Sequence, residues 1–460
     1  MPQDSTFTGL NPYRFATSTF LPAMCLLFAG VPLRAQTVTP SEASLCEWAT
    51  ADVRWLGGQI TPNRVVPAPE PSRRRLLLSY DVSPEKSPWG FHRSTTYDNA
   101  LAALAFLIAG DRDRAAFTLH ALARLTRSDG SLWFGYNTAN DWPGETSHES
   151  ALVRVGAMSW AGYAFAFYLA HSPPCAPSDR GCSRERAIFQ ETAVRQANYL
   201  LSLQVDDPTD PRFGLLRLGY GTIDLAYRPA THDVVEVYQD EPAKGISIEN
   251  NIGAWFFLRK LGDLTGKGRW REAAERIRQG LLRASWNDAR GQFNRGFRYD
   301  AALDTTPALD CASWGALFLL AAGEPEKARR ALAAVETYAA RDGAAVGYLP
   351  YADIPVYENP EVNRFFFPDG PGKTWRELPL VWSEGTLGVA LAYLRLGQAG
   401  RARQTAMGLQ PLQVENGGLR YASREVLFQM SDAPSVGAST WLLFVAKALA
   451  GNSLAEQIWR

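Results

Sequence analysis

The sequence predicts an all-α protein, an (α/α)6 toroid whose six helical hairpins form inner and outer rings, with long loops and minor β structure on one face. Three observations carry this. Segments that are apolar nearly all round a helix recur six times, and such helices are buried. Amphipathic segments rich in Arg, Glu and Lys follow them. Connections into the apolar segments are long, and those out of them are short. Alternating buried and amphipathic helices satisfy their apolar faces by closing into a ring.

The first 35 residues stand apart. Arg14 precedes a short apolar run, Phe20 to Leu33, and then Arg34-Ala35-Gln36. This pattern predicts a signal peptide over 1–35 and a periplasmic or secreted protein, an uncleaved anchor being the alternative. Residues 36–93 read as an N-terminal helix and a Pro/Arg-rich lead-in packed on the barrel, and residues 94–460 as the toroid. The helix runs from Pro40 to Gly57 with Ser41 as N-cap and Leu45, Trp48, Ala49, Val53 and Leu56 on its apolar face. A short strand is expected at Leu76 to Tyr80.

Inner helices are expected to start near Tyr97-Asp98, Val155-Gly156, Ile248-Glu249, Leu309-Asp310, Ser383-Glu384 and Val436-Gly437. Four of them end in glycine turns, at Gly110, Gly266, Gly323 and Gly397, which suit the left-handed end of a helix. Outer helices follow at Arg112 to Arg127, Arg184 to Gln204, Arg269 to Ala284, Pro325 to Ala340 and Ala399 to Gly408. Strand signals lie in the loops, at Phe213 to Tyr227 and Arg420 to Phe428. The long loops, Ser128 to Ser150, Val205 to Ser247 and Arg341 to Val381, gather on the face where the inner helices begin. That asymmetry locates the site.

Equal numbers of acidic and basic residues, 47 each, give no electrostatic reason to expect nucleic acid. No segment after the signal reads as a membrane span. Five scattered histidines and the cysteine spacing predict no metal site, and no nucleotide-binding loop, dinucleotide fingerprint or GxSxG elbow occurs, so no cofactor is expected. Cys175 and Cys182 flank a Pro/Ser/Gly loop and are expected to form a disulfide. Oligomeric state is left open.

The motifs TYDNALAALAFLIAG, DGSLWFGYNT, SIENN, LDCASWGAL and WSEGTLGVALAYL resemble those of the six-hairpin (α/α)6-toroid glycosidases, over about Ser94 to Gly451. The resemblance implies a carbohydrate substrate bound on the loop-rich face. Related toroids include hydrolases, lyases, epimerases and enzymes of other chemistry.

Four inner-helix starts supply a carboxylate: Asp98, Glu249, Asp310 and Glu384. Glycoside hydrolysis needs two, one protonated and one ionised. The competing reading is that each caps its helix. Glu384 beside Trp382, and Glu249 beside Ile248, are the acid candidates, since apolar surroundings raise a carboxyl pKa. Asp98 or Asp310 would then hold or activate water. Tyr97, Trp133, Tyr136, Asn137, Trp142, His148, Asn250, Trp314, Trp375 and Trp382 are the candidate substrate-binding residues, aromatic rings to stack on sugars and polar groups to bond hydroxyls. Glu145 and Glu149 are further acid/base candidates. The expected activity is hydrolysis of a poly- or oligosaccharide, with inversion as in many toroid hydrolases. The alternatives are a lyase or epimerase, which would recruit His148, Tyr136 and Arg154, and a non-catalytic glycan-binding or export factor.

Overall fold

A computed structural model describes residues 42–88, 90–140 and 149–460, so the expected signal peptide lies outside the described residues. The helices, in chain order, are α1 (Glu42–Gln59), α2 (Thr96–Ile108), α3 (Arg112–Leu125), α4 (Val155–His171), α5 (Arg180–Ser202), α6 (Ile248–Thr265), α7 (Gly268–Ala284), α8 (Leu309–Ala321), α9 (Pro325–Ala334), α10 (Pro360–Phe366), α11 (Ser383–Arg395), α12 (Ala399–Met407) and α13 (Val436–Leu449). No helix of the described residues is long and apolar enough to cross a membrane.

Six of these form the inner ring. In space α2 packs on α4, α4 on α6, α6 on α8, α8 on α11, α11 on α13, and α13 back on α2. Their sequences are buried nearly all round, from Ala100 to Ile108 in α2 and Val436 to Ala446 in α13. Each carries an outer partner: α3 on α2, α5 on α4, α7 on α6, α9 on α8, α12 on α11, and α1 on α13. The outer helices bury one stripe only, such as Trp270, Ala273, Ala274, Ile277 and Leu281 in α7, which leaves their charged side to water. The N-terminal helix thus serves as the outer member of the sixth hairpin.

The inner helices all begin on one face, and a closed collar of short β contacts surrounds that mouth. Strand β1 (Arg93–Thr95) pairs with β2 (Gly135–Asn137), and β3 (Val153–Arg154) with β4 (Gly219–Arg228), which also pairs with β5 (Asp233–Ala243). Strand β6 (Ile246–Ser247) pairs with residues 296–297. Single bridges join Ala308 to Tyr351, Trp382 to Ala422, and Ser435 to Tyr80. Each step links the loop before one inner helix to the loop before the next.

The same collar answers a general problem of helix starts, whose first amides have no partner within the helix. The first helical N–H donates across to the neighbouring loop in all six: Thr96 to Phe134 O, Val155 to Leu218 O, Ile248 to Arg295 O, Leu309 to Pro350 O, Ser383 to Tyr421 O, and Val436 to Ser79 O, at 2.9–3.0 Å. Cys175 and Cys182 are bonded, while Cys46 and Cys311 are free.

Candidate active site

The helix starts fix which side chains face the lumen. Counting from each N-cap, the second helical residue is Tyr97, Gly156, Glu249, Asp310, Glu384 or Gly437 in ring order. Three carboxylates and a phenol therefore share one level at the mouth. One turn deeper, four residues on, the level reads Leu101, Trp160, Gly253, Trp314, Gly388 and Trp441. Three indoles alternate there with small or slender residues, and their rings lie 5.5–6.0 Å apart pairwise.

Asp98 departs from the expected phase. It is the third helical residue of α2, where the Thr95 hydroxyl caps its N–H. Its carboxylate accepts from the Thr95 hydroxyl at 2.8 Å and bonds Ser79 and the Gly437 N–H. A Cβ on Gly437 would stand 2.8 Å from Glu384 Oε2 and 3.3 Å from Asp98 Oδ1. The glycine thus makes room for two carboxyl groups side by side. Asn250, the third residue of α6, fills the matching hollow at Gly156, where a Cβ would meet its Oδ1 at 2.3 Å. Asn251 instead ties the start of α6 to Leu216 through both ends of its amide.

Capping does not account for the lumen carboxylates. Hydroxyls of Thr95, Ser247 and Ser435 cap α2, α6 and α13, and no side chain caps α8 or α11. Asp310 Oδ1 is buried without a hydrogen-bond partner. Glu384 accepts from the Tyr97 hydroxyl at 2.5 Å, and that hydroxyl oxygen accepts in turn from Trp441 Nε1 at 2.9 Å.

Burial raises all three pKa values and repulsion adds to it for Asp310 and Glu384, because removal from water and like charge both disfavour the ionised form. Burial pushes Glu249 up to about 7. Glu384 is pushed up to about 8, first by burial and then by Asp98 and Glu249, against the lowering bond from Tyr97. Asp310 is raised well above the usual range by burial, Glu249 and Glu384. Asp98 is raised by burial too, with its hydrogen bonds and Arg93 opposing. Tyr351 and Tyr421 border the trio, their phenols raised by burial and by these carboxylates. Neither was singled out from sequence. Their signal was position, since each lies in a segment that pairs with the residue just before an inner helix or just after its cap. Among the described residues no group of three or more His, Cys, Asp or Glu is arranged to hold a metal ion.

The remaining expectations divide. Trp142, His148 and Glu145 lie outside the described residues, as does the Glu149 side chain. Trp382 occupies the N-cap position of α11 without a capping bond, its ring lying over Gly385 and edge-on to Tyr421. Trp133 is half-buried, with the Arg127 guanidinium over its ring at 4.5 Å. Four residues need correction. Tyr136 is buried, its oxygen accepting from Trp133 N. Asn137 turns its side chain onto Ala139 N and Asn140 N. Trp375, 1% exposed, packs beside Tyr351. All three hold loops in place and offer no free ring or amide. Trp314, 4% exposed, is no stacking platform, because its face lies against Trp441 at 5.5 Å. Its Nε1 has no partner, however, and occupies the hollow left by Gly388 one turn below Glu384.

No protein-family model and no curated protein sequence matches this chain. Solved structures do match in fold. A D-mannose isomerase superposes with a TM-score of 0.57 at 10% identity, covering 91% of this chain and 100% of its own. A GH63 mannosylglycerate hydrolase from Thermus thermophilus, in complex with glucose, gives 0.52 at 15% identity, covering 87% and 99%. A GH76 α-mannanase from Bacteroides thetaiotaomicron gives 0.52 at 8% identity, covering 88% and 96%.

Proposed function

We propose that this six-hairpin toroid is a glycoside hydrolase that cleaves a poly- or oligosaccharide by carboxylate general acid/base catalysis. One observation carries the reading: Glu249, Asp310 and Glu384 stand at the same level of three inner helices, all have raised pKa values, and are not used as caps. Two glycosidases and a sugar isomerase among the fold neighbours support it.

Three clustered carboxyl groups titrate as a unit and retain protons near neutrality. Glu384, at about 8, holds its proton and is the general acid that protonates the leaving oxygen. Glu249, at about 7, ionises first and is the base that activates water. Asp310, on the helix between them, has a buried Oδ1 with no partner in the protein and is placed to bond a hydroxyl of the sugar. Helices α6 and α11 are not neighbours, since α8 stands between them. Their carboxyl groups are therefore set apart by one position of the ring, and we take that separation to favour inversion.

A lyase or epimerase acting on a uronate would need a free cation for the carboxylate. Arg295, beside Tyr351, is instead bound to Asp304 and Glu358 at 2.7 and 2.6 Å.

Glu384→Gln and Glu249→Gln should each lower turnover by about 10³-fold or more, measured as reducing sugar released from a polysaccharide panel, with unchanged thermal melting. Near-normal turnover in both would sink the assignment. The anomer first formed, read by NMR, tests inversion.

A further inference from the structure

We propose that the site takes the end of a glycan chain, not its middle, so that hydrolysis releases the terminal sugar. This rests on the hydrolase reading for the cleavage step but not for the recognition of an end.

The first argument is depth. The carboxylate level lies one helical turn, about 5.4 Å, above the level of Trp160, Trp314 and Trp441. Below these the C-terminal Trp459 closes the lumen: it stacks on Trp160 at 4.6 Å and on Phe256 at 4.8 Å, and meets Trp314 edge-on at 4.8 Å. The lumen is therefore closed beneath the carboxylates, which leaves the mouth as the way in. Its floor is a layer of packed indoles, Trp160, Trp314 and Trp441, none more than 4% exposed.

The second argument is the rim. A chain bound by its middle must enter between two neighbouring inner-helix loops and leave through the opposite gap. The six-membered ring offers three such paths. Beyond the collar, further contacts tie together the loops before α6, α8, α11 and α13. From the β4 ribbon to the α10 loop, across the top of α8, Asn359 Nδ2 donates to Leu225 O at 3.1 Å and Tyr227 meets Phe365 at 5.5 Å. Between the loops before α8 and α11, Arg295 binds Glu358 at 2.6 Å. Between those before α11 and α13, the Tyr357 hydroxyl donates to Leu427 O at 2.8 Å and Phe366 meets Phe428 at 6.2 Å. Phe428 is held there with φ of 62°, a conformation that a bulky residue keeps only when its surroundings impose it. The span over α8 and the two bridged gaps are consecutive around the ring from α6 to α13, and on this reading each straight path across the mouth meets one of them at one end.

Cyclic oligosaccharides, which have no ends, provide the test. Tryptophan fluorescence would be titrated with linear α-1,4- and β-1,2-glucan oligosaccharides and with cyclic ones of the same linkages, and the products of the linear chains followed by chromatography. End recognition predicts binding of a linear chain and at least about 100-fold weaker binding of its cyclic counterpart. Any cleavage should yield a monosaccharide and a chain shorter by one from the first turnover. Equal affinity for cyclic and linear forms, ring opening, or early internal fragments would overturn the inference while leaving hydrolysis standing. Selective binding of linear chains without cleavage would uphold the inference and remove the hydrolase reading. Failure of every linear chain to bind overturns both.

Discussion

Tyr97 occupies the lumen level that three other inner helices give to a carboxylate, and its hydroxyl donates to Glu384. A donor stabilises the ionised carboxyl, so the bond holds the Glu384 pKa below the value that burial alone would set. On the proposed roles, activity rises with pH as Glu249 ionises through about 7 and falls as Glu384 ionises through about 8. Tyr97→Phe removes the donor and raises the Glu384 pKa. The basic limb of kcat/KM against pH should move upward by about one to two units, given roughly 1.5–3 kcal/mol for a hydrogen bond to a charged group. An unmoved basic limb would show that the phenol does not govern Glu384. At this scale the sequence was partly legible. Glu249, Asp310 and Glu384 were visible as carboxylates at helix starts, but Asp98 was grouped with them although it lies one residue out of register. The hydroxyl N-caps Thr95, Ser247 and Ser435 carried the correct phase. Counted from them, Tyr97, and not Asp98, is the counterpart of Glu249. Aromatic content misled for the opposite reason: Tyr136, Trp314 and Trp375 are buried by contacts distant in sequence, which composition does not reveal.

Helices were far more legible than side-chain roles, because a buried inner helix is recorded in every one of its positions. All six inner helices begin within two residues of the expected starts, and the glycine turns after α2, α6, α8 and α11 have positive φ. The ring partner of α1 was not legible, since nothing local in Glu42–Gln59 says which inner helix it covers. Its packing on α13 creates an unusual contact. Asp52 is fully buried there, neither of its oxygens makes a regular hydrogen bond, and the nearby Ser439 hydroxyl only partly offsets the burial that raises its pKa well above the ordinary range. A carboxyl whose folded pKa exceeds its unfolded one binds more protons in the folded state. Its destabilising effect is absent below the unfolded pKa, about 3.9, and grows as pH rises toward the folded value. Asp52→Asn removes this dependence. Thermal melting at neutral pH should show stabilisation of about 1–3 kcal/mol, shrinking to nothing near pH 3.5. A uniform change at all pH values would mean that Asp52 does not carry the proton.

At the scale of the molecule the ring is closed twice, by helix packing and by the β collar, but its axis is closed from below by Trp459. Trp459, 2% exposed, reaches the axis because the last residues turn inward. Arg395 Nη2 bonds Ala455 O and Ile458 O at 3.0 Å, and the Trp459 N–H donates to the Tyr163 hydroxyl at 3.0 Å. Gly253, one of the small residues on the floor level, leaves space at that point: a Cβ there would lie 3.9 Å from the Trp459 ring. The indole thus contacts residues of α4, α6, α8 and α13 together, through Trp160, Phe256, Trp314 and Trp441. Trp459→Ala would leave a cavity on the axis that the stiff ring cannot collapse to fill, and the loss should be about 3–5 kcal/mol in chemical denaturation. Because the floor supports the indoles beneath the carboxylates, the variant should also lose activity at temperatures where it is still folded. Phenylalanine in its place keeps the stacking on Trp160 and Phe256 and should restore most of both. If Trp459→Ala melts like the parent protein, the inner ring is self-supporting and Trp459 is only a cover.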